Sequence, residues 1–273
     1  MKTKLILTGI TLFIGIFAIL GFTNLKKSSP VIKEENITYS VGDKTFKGYV
    51  AYNPNIKGKR PGVIVVHEWW GLNDYPKMRA RKLAELGYIA LAVDIFGDGK
   101  TAANPNEAMA LTGPFYKDPN LGESRLEAAI EKLKTFPEAD AKNIAAIGYC
   151  FGGAMVLNAA KLGADLKGVV SFHGGLSTGI PVDKSKTKTK ILICYGGSDK
   201  FVSLKDADAF KHQLDSAGIK YIFKSYPNAT HAFTNPDATK AGKEFNLPIA
   251  YNAEADKNSW NDMKTFFGTI FKK

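Results

Sequence analysis

Short runs of consecutive apolar residues recur along this chain, separated by longer segments of helical period. Val63–Val66, Ile89–Val93, Ile144–Ile147 and Ile191–Tyr195 are such runs, and Leu166–Phe172 is a further predicted strand, interrupted by Lys167 and Ser171. A strand with one face in water alternates apolar and polar residues; one covered on both faces need not, so unbroken runs of this kind predict a mainly parallel sheet. The intervening segments Tyr75–Leu86, Asn106–Thr112, Glu123–Lys134, Cys150–Leu162 and Leu204–Ala217 predict helices, with a closing helix inside Tyr251–Phe271. Gly87, Gly163 and Gly218 stand where three of them should stop. Ile37–Val41 and Phe46–Ala51 predict a hairpin turning at Gly42-Asp43, and Tyr221–Tyr226 a further strand. The expected architecture is α/β: a mainly parallel central sheet, helices on both faces and an antiparallel edge hairpin. No repeat or linker divides residues 31–273, which predict one domain.

The first thirty residues differ. Lys2 and Lys4 precede an uncharged, mostly apolar run over 5–22, and Lys26-Lys27-Ser28-Ser29-Pro30 follows. A positive start, an apolar run and a polar exit mark an export signal, and the run is also just long enough to span a bilayer. Residues 1–30 are therefore expected to be a signal peptide or a membrane anchor, with the protein periplasmic, extracellular or anchored facing outward. Membrane attachment through residues 5–22 is the alternative to cleavage. No cysteine follows the run, which excludes a lipoprotein anchor.

The formal charge of +11 raises nucleic acid as a partner. Only four arginines occur, however, and the 33 lysines are scattered. Arginine supplies the planar fork that base and phosphate readout favours, so no nucleic-acid partner is expected. Two cysteines are too few for a disulfide scaffold or a four-cysteine zinc site. No metal, no cofactor and no Cys150–Cys194 disulfide is expected.

The segment most telling of chemistry is Gly148-Tyr149-Cys150-Phe151-Gly152-Gly153, where a buried strand runs directly into a helix. Gly-x-Cys-x-Gly at such a junction has the form of a nucleophile elbow, with cysteine in place of serine. The flanking glycines leave room for a turn too tight for side chains. The sulfur would sit at a helix N-terminus, which favours thiolate, and the Phe151 N–H would face the site as an oxyanion donor. In isolation the pattern also fits a small buried cysteine ahead of a helix. Asp199 follows the strand Ile191–Tyr195 and His231 follows Tyr221–Tyr226, in the order nucleophile, acid, histidine. Ligand sites in such sheets lie beyond the C-terminal ends of the strands. Asp199 could instead cap a helix, although Ser203 is better placed to do so, and His231 could be a surface-loop histidine. His67-Glu68-Trp69-Trp70-Gly71 ends the first central strand, and this loop would supply the second oxyanion N–H. Glu68 is placed to meet Cys150. Trp70, His67, Tyr149 and His173 are pocket candidates, the tryptophans being equally suited to the core; His212 is expected to be exposed in mid-helix.

These blocks together resemble the dienelactone hydrolase family of α/β-hydrolases over about residues 36–272. They are His67–Gly71, Gly148–Gly153, Asp199 and Ala229-Thr230-His231-Ala232-Phe233. The resemblance implies a Cys150–His231–Asp199 triad, an oxyanion hole from the N–H groups of Trp69 and Phe151, and a Glu68 that contacts the resting thiol and swings away when substrate enters. It implies hydrolysis of a small carboxylic ester or lactone without a cofactor; the sequence leaves the oligomeric state open, with a monomer favoured. A thioesterase or other thiol hydrolase, and an exported binding protein on the same fold, are the alternatives. The chain departs from the family where enzymes acting on dienelactone use arginines to grip the substrate carboxylate. Ala232-Phe233-Thr234-Asn235 follows His231, no arginine occurs after Arg125, and the region Phe96–Met109 offers only Lys100.

Overall fold

The structure, a computed structural model, describes residues 30–177 and 179–271. The export or anchor segment expected over residues 1–30 lies, up to residue 29, outside the described residues. No helix among the described residues is long and apolar enough to cross a membrane.

Eight strands form one sheet: β1 (Lys33–Val41), β2 (Lys44–Tyr52), β3 (Arg60–Val66), β4 (Ile89–Val93), β5 (Ala139–Tyr149), β6 (Gly168–Phe172), β7 (Lys190–Gly196) and β8 (Tyr221–Tyr226). Their spatial order is β1-β2-β4-β3-β5-β6-β7-β8. β3 to β8 are mutually parallel, while β1 and β2 form the antiparallel hairpin at one edge, turning at Gly42 with φ +55°. The apolar runs are the strands covered on both sides: every residue of β4 and β6 is buried, as the lack of alternation requires. β8, at the far edge, alternates and leaves Ile222 40% exposed.

The helices are α1 (Asp74–Glu85), α2 (Pro105–Lys117), α3 (Pro119–Lys134), α4 (Phe151–Leu162), α5 (Leu204–Ser216), α6 (Ala238–Glu244) and α7 (Ala253–Ile270). Their starts follow local chemistry. Asn73, Asn104 and Asp118 cap α1, α2 and α3, the last two with proline at the first helical position. Ser203 and Asp206 cap α5 reciprocally, which leaves Asp199 free for another role. α6 has only seven residues with Gly242 inside it, and no period in the sequence announces it. Two apolar clusters fill the two faces of the sheet, one around Ile64, Leu91, Phe151 and Phe210, the other around Val65, Ile147, Phe172 and Phe267. The C-terminal ends of β3, β5, β7 and β8 open onto a common edge, where the site is built.

Candidate active site

Cys150 joins β5 to α4 with φ +52°, a conformation that costs a non-glycine residue of order 1–3 kcal/mol and persists only where its surroundings fix it. The fixing groups are visible. The Cys150 N–H points to the Phe172 carbonyl at 3.0 Å and to His173 Nδ1 at 3.1 Å. A Cβ on Gly148 would lie 2.0 Å from the Gly152 carbonyl oxygen, and one on Gly152 2.5 Å from that of Val66, so neither position tolerates a side chain. The Gly152 N–H donates to the His67 carbonyl at 3.1 Å and ties α4 to the end of β3. Among the described residues, neither the Phe151 N–H nor the Trp69 N–H has an acceptor. Both are free to donate to an oxygen in the site.

His231 follows β8 and Asp199 follows β7. The His231 Nδ1–H donates to Asp199 Oδ2 at 2.8 Å. The other oxygen of that carboxylate accepts the N–H groups of Phe201 and Val202 at 2.8 and 3.1 Å, so it is held toward the imidazole. Burial alone would disfavour an imidazolium. The Cys150 sulfur and the Asp199 carboxylate more than offset this and hold His231 well above the usual histidine range. His231 thus pairs with Asp199, and Cys150 and His231, distant in sequence, line one cavity. Cys194 is fully buried, its thiol is pushed up to about 12 by burial, and both cysteines are free.

Glu68 is 3% exposed, and burial raises its carboxyl from 4.5 to about 7, against the hydrogen bond from Asn235. Asn235 Nδ2 donates to Oε2 at 2.6 Å, while Oε1 has no hydrogen-bond partner. In this conformation Glu68 is turned to Asn235 rather than hydrogen-bonded to the thiol.

A cavity of about 270 Å³ opens above Cys150 and His231. Glu68, Trp69, Trp70 and Phe151 line it together with Met109, Thr112 and Tyr116 of α2 and with Phe201 and Val202. Trp70 is therefore a pocket residue. Three other candidates are not. Tyr149 is wholly buried on the opposite face of the sheet, stacked on Phe172 at 4.8 Å, because along a strand it shares the face of Ile147 and Ala145. His67 is turned into the core: its Nδ1–H donates to the Glu68 carbonyl, its Nε2 accepts from the Ile95 N–H at 3.2 Å, and burial lowers it to about 4. His173 lies beneath the site, not in it. Its Nδ1 accepts from Cys150, so Nε2 carries the proton and donates to Thr234 Oγ1 at 2.7 Å, and burial, followed by the charges of His231 and Arg79, keeps it neutral. His212 is exposed on α5 as expected.

The sequence reasoning missed a buried layer that supports the histidine loop. Arg79 of α1 is 1% exposed, donates to the Thr234 carbonyl at 2.5 Å and pairs with Asp256 at 2.6 Å. Thr234 Oγ1 also meets the Tyr75 hydroxyl at 2.6 Å. The spacing Tyr75, Arg79, Leu83 marks one helix face and was the available signal.

A parallel sheet with an elbow after β5, an acid after β7 and a histidine after β8 is that of an α/β-hydrolase. The chain belongs to the dienelactone hydrolase family, whose model matches residues 46–271. The solved structure of a protein named m3DLH is 35% identical, with a TM-score of 0.84 over 88% of this chain and 99% of that one. A dienelactone hydrolase-like promiscuous phosphotriesterase from metagenomic libraries is 33% identical, with a TM-score of 0.81 over 88% and 98% of the two chains. A putative carboxymethylenebutenolidase of Methylorubrum extorquens is 28% identical over 77% of this chain and 72% of its own.

Proposed function

We propose that the protein hydrolyses carboxylic esters or lactones with Cys150 as nucleophile, His231 as proton carrier and Asp199 as its orienting partner. His231 Nε2 takes the thiol proton as Sγ attacks the acyl carbon, the carbonyl π electrons move onto oxygen, and that oxyanion rests on the N–H groups of Trp69 and Phe151. Collapse breaks the C–O bond to the leaving alcohol, or opens the lactone ring, and the His231 imidazolium gives the leaving oxygen its proton. His231 then takes a proton from water as it attacks the thioester carbonyl; collapse breaks the C–S bond, the acid leaves, and His231 returns the proton to the sulfur. Asp199 holds the Nδ1–H tautomer, so that Nε2 faces the sulfur.

The observation that supports this most is the meeting of Cys150, at φ +52° on the elbow, with an Asp199-bound His231 in one cavity. The names of the relatives point the same way. Cys150→Ala should abolish turnover of small activated esters while circular dichroism and thermal melting stay as in the parent. Iodoacetamide at neutral pH should label Cys150 and spare Cys194. Unchanged turnover in the variant would overturn the assignment.

A further inference from the structure

Every arginine of this chain is engaged away from the cavity above Cys150. Arg60 donates to the carbonyls of Asn53 and Ile56, Arg79 to Asp256 and the Thr234 carbonyl, and Arg81 to the Tyr49 hydroxyl. Arg125 packs over the Phe115 ring of α2 at 4.8 Å, yet it donates inward, to the carbonyls of Ile95 and Phe96. Among the described residues no lysine or arginine lines the cavity. Its ionisable groups are Cys150, His231, Glu68 and Tyr116, and the imidazole among them already has Asp199 as its counter-ion.

The same cavity gathers apolar surface that the fold leaves uncovered. Seven large apolar side chains are exposed among the described residues, and three of them, Met109, Tyr116 and Phe201, line it at 55%, 55% and 49% exposure. Leaving such groups in water costs free energy that burial recovers, and apolar surface collected in one cleft marks a site for an apolar ligand. These groups stand at the chemistry, not on a remote face: the Phe201 ring meets that of His231 edge-on at 5.1 Å, and Tyr116 meets Phe151 edge-on at 5.9 Å. With Trp69 and Trp70 the walls are mainly aromatic. Volume limits the occupant. An apolar cavity of roughly 150 Å³ holds one benzene ring. The 270 Å³ here therefore takes one ring together with an ester group.

We propose that the site selects uncharged esters whose acyl group carries one aryl ring, seated against Met109, Tyr116 and Phe201 with the ester carbonyl at Cys150, and that it discriminates against esters bearing a carboxylate. The acyl group stays on Sγ after the alcohol leaves, so it is the part that a lined cavity above Cys150 must hold. A carboxylate carried into this lining loses its water and gains no cation, and an unpaired charge withdrawn from water is costly. The proposal rests on the hydrolase reading above and names the substrate class for it.

The test compares methyl hydrocinnamate with its para-carboxy derivative on the full-length protein. The added charge is far from the carbonyl, so intrinsic reactivity is unchanged and the ratio of kcat/KM reads the lining. A ratio of roughly a hundredfold in favour of the uncharged ester is expected. Methyl butanoate, which lacks the ring, should be turned over with kcat/KM roughly tenfold lower than methyl hydrocinnamate. Met109→Arg places a cation at an exposed position of the lining and should cut the charge ratio roughly tenfold; because the ratio is taken within each variant, a general loss of activity cancels. Hydrocinnamamide should protect Cys150 from iodoacetamide saturably, and its para-carboxy derivative should not. Equal turnover of the charged and uncharged esters overturns the proposal, as does a methyl butanoate turned over as well as the aryl ester, or an amide that fails to protect. Protection by the uncharged amide alone, with no ester hydrolysed, supports the selectivity of the cavity and overturns the hydrolase reading alone.

Discussion

Replacing Arg79 by methionine removes a charge that the fold has enclosed almost completely. The guanidinium is 1% exposed, reaches the Thr234 carbonyl and Asp256, and lies 5.2–5.5 Å from the ring centres of Tyr75, Trp260 and Tyr149. Methionine keeps most of the apolar stem, so packing changes little and electrostatics decides the outcome. Asp256, 8% exposed, is left without its cation. Breaking one side of a buried ion pair costs about 3–5 kcal/mol. For a domain of this size each kcal/mol lowers Tm by about 2–4 °C, so a fall on the order of 10 °C is expected. Removing both charges is different, because a buried pair replaced by apolar groups is often near neutral. Arg79→Met/Asp256→Leu should therefore recover about 2 kcal/mol relative to the sum of the single variants. Denaturant unfolding of the four proteins measures this coupling. A single-variant loss below about 1 kcal/mol, or simple additivity, would refute the view that Arg79 and Asp256 act as one buried unit beneath the histidine loop.

Two further outcomes follow from the site. Glu68 keeps its proton up to about 7 in the folded chain, against 4.5 when unexposed to burial, so the folded state binds more protons between those values. Stability due to Glu68 then falls as pH rises through that window, by on the order of 3 kcal/mol. His67, held down to about 4 by burial, acts with the opposite sign, since there the unfolded state binds the extra proton. The difference between the parent and Glu68→Gln isolates the first effect: the variant should gain relative stability as pH rises from about 4.5 to about 7, and a flat or reversed difference in melting temperature would count against a buried, raised carboxyl. Gly152→Ala would drive a methyl to 2.5 and 2.6 Å from the carbonyl oxygens of Val66 and His67, so soluble yield and cooperative melting should be lost; a variant as stable as the parent would show that the elbow can relax.

Much of this molecule is legible in the chain because it rests on local rules. Unbroken apolar runs specified strands covered on both faces, and glycines two residues either side of Cys150 marked a turn with no room for side chains. Ser203, closer to the start of α5 than Asp199, suited the cap better and left Asp199 available to the histidine. What was hidden depends on pairs far apart in sequence. Asn235 and Glu68 are separated by 167 residues, and no local pattern says that an amide will hold one oxygen of that carboxylate and leave the other bare. His173 ends a buried strand, as a pocket residue would, yet its ring turns under Cys150 and supports the strained peptide instead.

Tyr149 and Arg79 are of another kind, because the chain did carry their signals and the residue types masked them. Tyr149 adjoins the nucleophile, which suggests the pocket, but strand period two assigns it to the face of Ala145 and Ile147. Arg79 reads as surface charge, but helix period assigns it to the stripe of Tyr75 and Leu83. Geometry overrides polarity when a partner is waiting on that face, here Asp256 and the carbonyl of Thr234.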